Sequence, residues 1–246
     1  MAIQQILCGF QNLLRVQKFK IKAITRNKRH GIYSTFLKFL KILKLNSKNF
    51  KETLNIAIEA IQKGKIVICP TDTVYGLITD ASNKKAVEKI FKIKKRPRQK
   101  PLPVFVRDLK MAKELAKIDE KQKKLLKRYW PGKYTFILER KHGTKLYGVA
   151  KDTIALRIPK YKFLNDLLKK INKPLAQTSA NISGKPASTK IEEALKQFQF
   201  EKPVLVISDR LLRGQVDFII DAGDLPKRKP SIIIDLLKAK IKVLRK

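Results

Sequence analysis

Cysteine and histidine are almost missing from this chain of 246 residues, which has two of each. Cys8 and Cys69 cannot build a disulfide framework or a cysteine-rich zinc module, and they fit a reducing compartment such as the cytoplasm. His30 and His142 sit among basic, polar neighbours, so a histidine zinc site, a Ser-His-Asp triad and a His/Cys nucleophile pair lack their parts. Glycine-rich phosphate loops are missing too. Neither a Walker pattern nor GxGxxG occurs, so phosphates would be held by side chains and a few backbone amides. Apolar stretches such as Ile3 to Leu7 and Phe36 to Leu45 are short or interrupted by lysine, which argues against stable membrane insertion and a secretory signal.

Acidic residues are scarce: 20 Asp and Glu stand against 57 Lys and Arg, for a net charge of +37. Such an imbalance points to polyanionic partners. Lysines, at 44, far outnumber the 13 arginines, and much of that excess reads as solvated background, since phosphate recognition favours the arginine fork. With 43% apolar residues the chain can build a core, and its length suits one domain with an appendage.

Residues 1–48 hold eleven Lys and Arg and no acid, the first acidic residue being Glu52. This basic N-terminal extension reads as disordered or as an amphipathic helix around Phe36 to Leu43. A role at a membrane surface, in RNA contact or in organellar targeting stays open, as does no function. Residues 49–246 read as one α/β domain with a mixed sheet. Helices are predicted over 49–63, 83–94, 108–117, 119–129, 162–172 and 189–198, the first opened by Asn49 with Glu52, the last by a Thr189-x-x-Glu192 capping box. Strands are predicted at 66–69, 103–106, 134–139, 153–158, 174–178, 203–207, 216–221, 231–236 and 240–244.

Pro70-Thr71-Asp72-Thr73-Val74-Tyr75-Gly76-Leu77 follows a buried-looking strand, precedes a helix and is read as a turn at a ligand crevice. Lys94-Lys95-Arg96-Pro97-Arg98-Gln99-Lys100 packs five cations into seven positions. Those charges could complement a helix C-terminus or clamp a polyphosphate. Arg157 lies between apolar neighbours on an inner strand and needs an anionic partner, either a protein carboxylate or one on a ligand. Gln177 to Gly184 crowds hydroxyls and amides after another strand, as a turn and helix cap or as a polar rim.

Taken in order, PTDTVYGL at 70–77, KKRPRQKPL at 94–102, WPGKYTFIL at 130–138, ALRIP at 155–159, TSANISG at 178–184 and PSIIID at 230–235 resemble the threonylcarbamoyl-AMP synthases, the YrdC-like domain proteins. The likeness runs from Lys65 to Arg245. It implies a single YrdC-like domain whose twisted mixed sheet, flanked by helices, carries a basic concave cleft. It further implies a nucleotidyltransferase that condenses L-threonine, bicarbonate or CO2 and ATP, with Mg2+, into threonylcarbamoyl-AMP and pyrophosphate. A downstream transferase complex then modifies the adenosine beside the tRNA anticodon.

By the same resemblance Lys94 and Arg96 lie at the reacting phosphates as the catalytic pair. Arg96, Lys100, Thr153, Ser179, Asn181 and Arg245 bind ATP, while Thr73, Arg157 and Ser231 bind threonine. No protein side chain is expected to ligate a metal. The chain departs from the family pattern at Phe105, Ala187 and Ile232. Two rivals remain: a non-catalytic module that binds structured RNA directly, whose affinity would fall steeply with salt, and a carbamoyl-transfer enzyme of hydrogenase maturation. The second is expected to carry acylphosphatase and zinc-finger parts that this sequence lacks.

Overall fold

The computed structural model describes residues 41–198, 216–237 and 242–245. Contacts divide the chain at Leu37, and every described residue belongs to the second unit. Residues 1–40 of the expected 1–48 extension and the strand expected at 203–207 lie outside the described residues.

The first half runs β1 (Lys41–Lys44), α1 (Phe50–Gln62), β2 (Val67–Cys69), β3 (Gly76–Asp80), α2 (Lys84–Lys94), β4 (Val104–Phe105), α3 (Leu109–Leu115) and α4 (Glu120–Tyr129). The second runs β5 (Tyr134–Glu139), β6 (Thr153–Arg157), α5 (Lys162–Ile171), β7 (Leu175–Ser179), α6 (Ile191–Phe198), β8 (Phe218–Asp221), β9 (Ile232–Asp235) and β10 (Lys242–Arg245). All the described strands join one mixed sheet in the order β1-β8-β2-β3-β7-β4-β6-β5-β9-β10. The α/β class with a mixed sheet is therefore as the sequence implied.

Three local expectations change. Residues 41–44, read as part of an amphipathic helix, form β1 and pair in parallel with β8. The PTDTVYGL turn does not lead directly to a helix, because β3 intervenes between β2 and β7. Every residue of β3 is buried, so it lacks the polar/apolar alternation that marks a half-exposed strand. The helix starts also differ. Asn49 makes no side-chain cap to α1, and at α6 it is Ser188 that accepts from the Lys190 amide at 2.9 Å and donates to Glu193 at 2.6 Å.

The sheet's two faces are covered unequally, and that places the site. On one face, Ile68, Leu77, Ala176, Val104, Leu156, Phe136 and Ile234 pack beneath Val87, Ile90 and Phe91 of α2, Leu126 of α4 and Ala194 of α6. On the other, α1 and α5 bury Leu54, Ile61, Phe163, Leu164, Leu167 and Leu168 against Cys69, Ile78, Phe105, Leu175 and Ile220. Each such side chain contributes about 1.5–3 kcal/mol on burial. This second cluster reaches only from β8 to β4. Side chains alternate along a strand, so Thr153, Ala155 and Arg157 of β6, Thr135 of β5 and Ile233 of β9 share that face, yet none belongs to the cluster. Among the described residues, no helix covers this half.

Gly148 anchors the 140–152 segment to α2. It has φ of +70°, and a Cβ there would stand 2.7 Å from Val87 Cγ1 and 3.0 Å from Phe91. Gly148→Ala is expected to lower unfolding free energy by at least about 2 kcal/mol, from left-handed backbone and overpacking together. Urea denaturation beside Gly143→Ala, where nothing lies within 4 Å, separates the packing contribution.

Candidate active site

The loop after β2 is folded by its own hydroxyls. Thr71 Oγ1 donates to the Val74 carbonyl at 2.7 Å and accepts from the Thr73 amide at 2.9 Å. Its proton is thus committed, so Thr73 is the donor in the 3.0 Å contact between the two hydroxyls. Gly76 permits the close return of the chain, since a Cβ would meet the Thr178 carbonyl at 3.3 Å and Thr71 Cγ2 at 3.4 Å.

This loop delivers Asp72 to Arg157. Arg157 is 2% exposed; its Nη2 donates to Asp72 Oδ1 at 2.5 Å and its Nε to the Gly132 carbonyl at 2.9 Å. Nη1 lies 3.4 Å from Thr73 Oγ1, and the Phe105 ring lies 5.6 Å beneath the guanidinium. The second carboxylate oxygen accepts from the Lys160 amide at 3.1 Å. The anionic partner that the sequence required is therefore a protein carboxylate. Phe105, one of the departures, is fully buried against that cation.

Lys94 is equally buried, at 2% exposure. Its ammonium donates to the carbonyls of Ser179 and Asn181, each at 2.6 Å, and to Asn181 Oδ1 at 2.9 Å. All three hydrogens thus hold the 178–184 loop in place. Ser179 Oγ adds a bond to Asn181 Oδ1 at 2.6 Å, and the Ala180 amide donates to the Tyr75 carbonyl at 2.8 Å, joining this loop to the 70–75 loop. Burial, and then the neighbouring Arg96 charge, pushes the Lys94 ammonium down to about 7 despite these acceptors.

Arg96 follows the left-handed Lys95 that ends α2. It is fastened by the carbonyls of Lys100 and Pro101 at 2.8 and 2.9 Å. Lys100 contributes that carbonyl, while its side chain is exposed. Arg245 donates to the Ser231 carbonyl at 2.8 Å and to Ser231 Oγ at 2.9 Å. Ser231 Oγ also accepts from Thr135 at 3.0 Å, which leaves the serine's own hydrogen for another acceptor. Burial first, then the charges of Arg157 and Arg96, lowers the pKa of Arg245. The three guanidinium groups thus share one electrostatic neighbourhood, and among the described residues only Arg157 has a carboxylate partner.

Thr153 stands apart. It begins β6 while Arg157 ends it, about 13 Å away at ~3.3 Å per residue. The parallel β4/β6 register, with Val104 opposite Leu156, puts Thr153 toward the Pro101 end, where Arg96 is fastened. Half-buried Ala155 lies between them on the same face. Sequence reasoning missed Asp72 as the partner of Arg157, the Gly132 carbonyl and Thr135. A hydroxyl on the strand face opposite Phe136 was the available signal for Thr135.

The structure is thus an α/β domain with a polar, cation-rich patch on its mixed sheet. The family is more specific. Residues 59–246 match the Sua5/YciO/YrdC family, described as telomere recombination, and the chain belongs to it. A Methanocaldococcus jannaschii protein provisionally named threonylcarbamoyl-AMP synthase is 39% identical over 201 residues, 82% of this chain and 88% of that protein. A Pyrococcus abyssi threonylcarbamoyl-AMP synthase is 34% identical over 185 residues, 74% of this chain but 50% of its own length. The crystal structure of P. abyssi Sua5 complexed with L-threonine superposes with a TM-score of 0.70 at 32% identity, covering 84% of this chain and 56% of that one.

Removing one member of a buried ion pair leaves the other charge uncompensated. Asp72→Asn is expected to cost about 3–5 kcal/mol in chemical denaturation. Asp166→Asn, which breaks the surface pair with Lys162, is expected to cost no more than about 1 kcal/mol.

Proposed function

We propose that the protein is a threonylcarbamoyl-AMP synthase, joining L-threonine, bicarbonate or CO2 and ATP into threonylcarbamoyl-AMP with release of pyrophosphate. The observation that carries this reading is the set of cations Lys94, Arg96, Arg157 and Arg245 with a single carboxylate among them, Asp72. Such a patch invites a multiply charged anion. The names of the relatives favour a synthase over the RNA-binding module, and L-threonine is the ligand of the P. abyssi Sua5 crystal structure.

Threonine's amine adds to CO2 and loses a proton to give a carbamate. A carbamate oxygen then attacks the α-phosphorus of ATP, and the bond to the pyrophosphate oxygen breaks. This chemistry needs alignment and charge neutralisation more than a tuned base. Arg96 offers its guanidinium to the phosphates, with Lys100 an exposed charge nearby. Lys94 acts from beneath by holding Ser179 and Asn181, the rim for the nucleotide, and Thr153 marks its far end. Thr73 and Ser231 supply hydroxyls to the amino acid. Arg157 orients Thr73 and presents positive potential from below, while Arg245 sits between the two substrates.

Mg2+ would be carried by the triphosphate oxygens and water. Its contribution is neutralisation of phosphate charge. The product would pass to a transferase acting on tRNA.

Arg96→Ala is expected to lower threonine- and bicarbonate-dependent pyrophosphate release about 10²- to 10³-fold without changing the circular dichroism spectrum; unchanged turnover would remove Arg96 from the site. A second expectation concerns protons. Burial pushes the Lys94 ammonium down to about 7, and a bound triphosphate would favour its charged form. ATP binding at pH 8 should therefore take up a proton and weaken as pH rises above 7. Calorimetry in buffers of different ionisation enthalpy reads this uptake, and Lys94→Met should abolish it.

A further inference from the structure

The Trp130-Pro131-Gly132 turn borders a second concavity that the proposed reaction does not use. A cavity of about 270 Å³ there is lined by Asp72, Gly132, Arg128, Lys133, Lys160 and Arg228. It opens away from the Ser231 side of β5. Thr135 turns its hydroxyl to Ser231, whereas Tyr134, next along the strand, lines the cavity and packs against Tyr129, the rings tilted by 57° with centroids 4.6 Å apart. Asp72 and Gly132 form the partition, because both also hold Arg157.

Among the described residues the cavity's cations lack carboxylate partners. Asp72 gives one carboxylate oxygen to Arg157 and the other to the Lys160 amide, and Arg228 donates to the Asp72 carbonyl at 3.0 Å. Among the described residues no carboxylate pairs with Arg128, Lys133, Lys160 or Arg228. All four cations are exposed, and two of them lie beside tyrosine rings. Arg128 lies 5.9 Å from the Tyr129 ring centroid and Lys133 lies 6.0 Å from that of Tyr134. Arginine forks and lysine point charges around one small concavity match a tetrahedral oxyanion. The volume falls below the roughly 300–1,000 Å³ of sites for drug-sized ligands.

We propose that this cavity is a second anion site, separate from the nucleotide-facing patch, and that it takes inorganic phosphate or pyrophosphate. Its test is calorimetric titration of the full chain with each anion at fixed ionic strength. Saturable binding should persist in Arg96→Ala and weaken at least about tenfold in Arg128→Gln/Lys133→Gln, as expected for loss of charge-assisted contacts. Pyrophosphate binding tighter than phosphate by tenfold would identify the diphosphate as the ligand, and equal binding would identify free phosphate. Binding unchanged in the double variant, or abolished by Arg96→Ala alone, would overturn the proposal. Should the double variant melt early, Lys160→Gln, whose backbone bond to Asp72 is retained, decides the same question. Threonine-dependent turnover is a separate readout, so this site can fail while the synthase stands.

Discussion

The buried Asp72–Arg157 pair governs the arrangement around it. A guanidinium that is 2% exposed on the inner face of a sheet is tolerable only with its charge answered and its donors occupied. The chain answers it from three directions: the carboxylate of the 70–75 loop, the Gly132 carbonyl of the turn before β5, and the Phe105 ring from β4. One charge thereby ties together segments distant in sequence. It also fixes Thr73, whose hydroxyl is held between Thr71 and Arg157. The pair need not add net stability over an apolar pair of the same volume. What it supplies is position.

Lys94 does the same work for the opposite rim. Its ammonium gathers the Ser179 and Asn181 carbonyls and the Asn181 side chain, and the Ala180 amide links that rim to the Tyr75 carbonyl. Two buried cations therefore set two loops, while Arg96 and Arg245 stand closer to the surface, with no carboxylate partner among the described residues. Buried charge builds the frame, and under the proposed function the unpaired charge would address the ligand. Among the described residues, surface lysine ion pairs such as Lys63 with Glu59 and Lys162 with Asp166 are worth no more than about 1 kcal/mol each.

Much of this was legible in the chain. The amphipathic spacing of α5 placed Phe163, Leu164, Leu167, Leu168 and Ile171 on one face, and the motif order pointed to the family. β3 was not legible, because a strand buried on both faces carries no alternation. Nor was β1, since its four residues, Lys-Ile-Leu-Lys, acquire strand geometry only by pairing with β8. Thr189 with Glu192 was the start expected for α6, and the chain's approach to the helix gave that role to Ser188 instead.

By itself the sequence determined the class of elements, the cations at fixed intervals and the need of Arg157 for an anion. Those follow from local propensity, side-chain chemistry and the cost of burying charge. Tertiary structure decided which anion answered it and, among the described residues, which half of the sheet face no helix covers and which cations lack a carboxylate. The reason is that partners such as Asp72 and Arg157 are 85 positions apart. Their meeting depends on strand order and on the direction in which each side chain leaves the sheet, and neither is written in any local stretch.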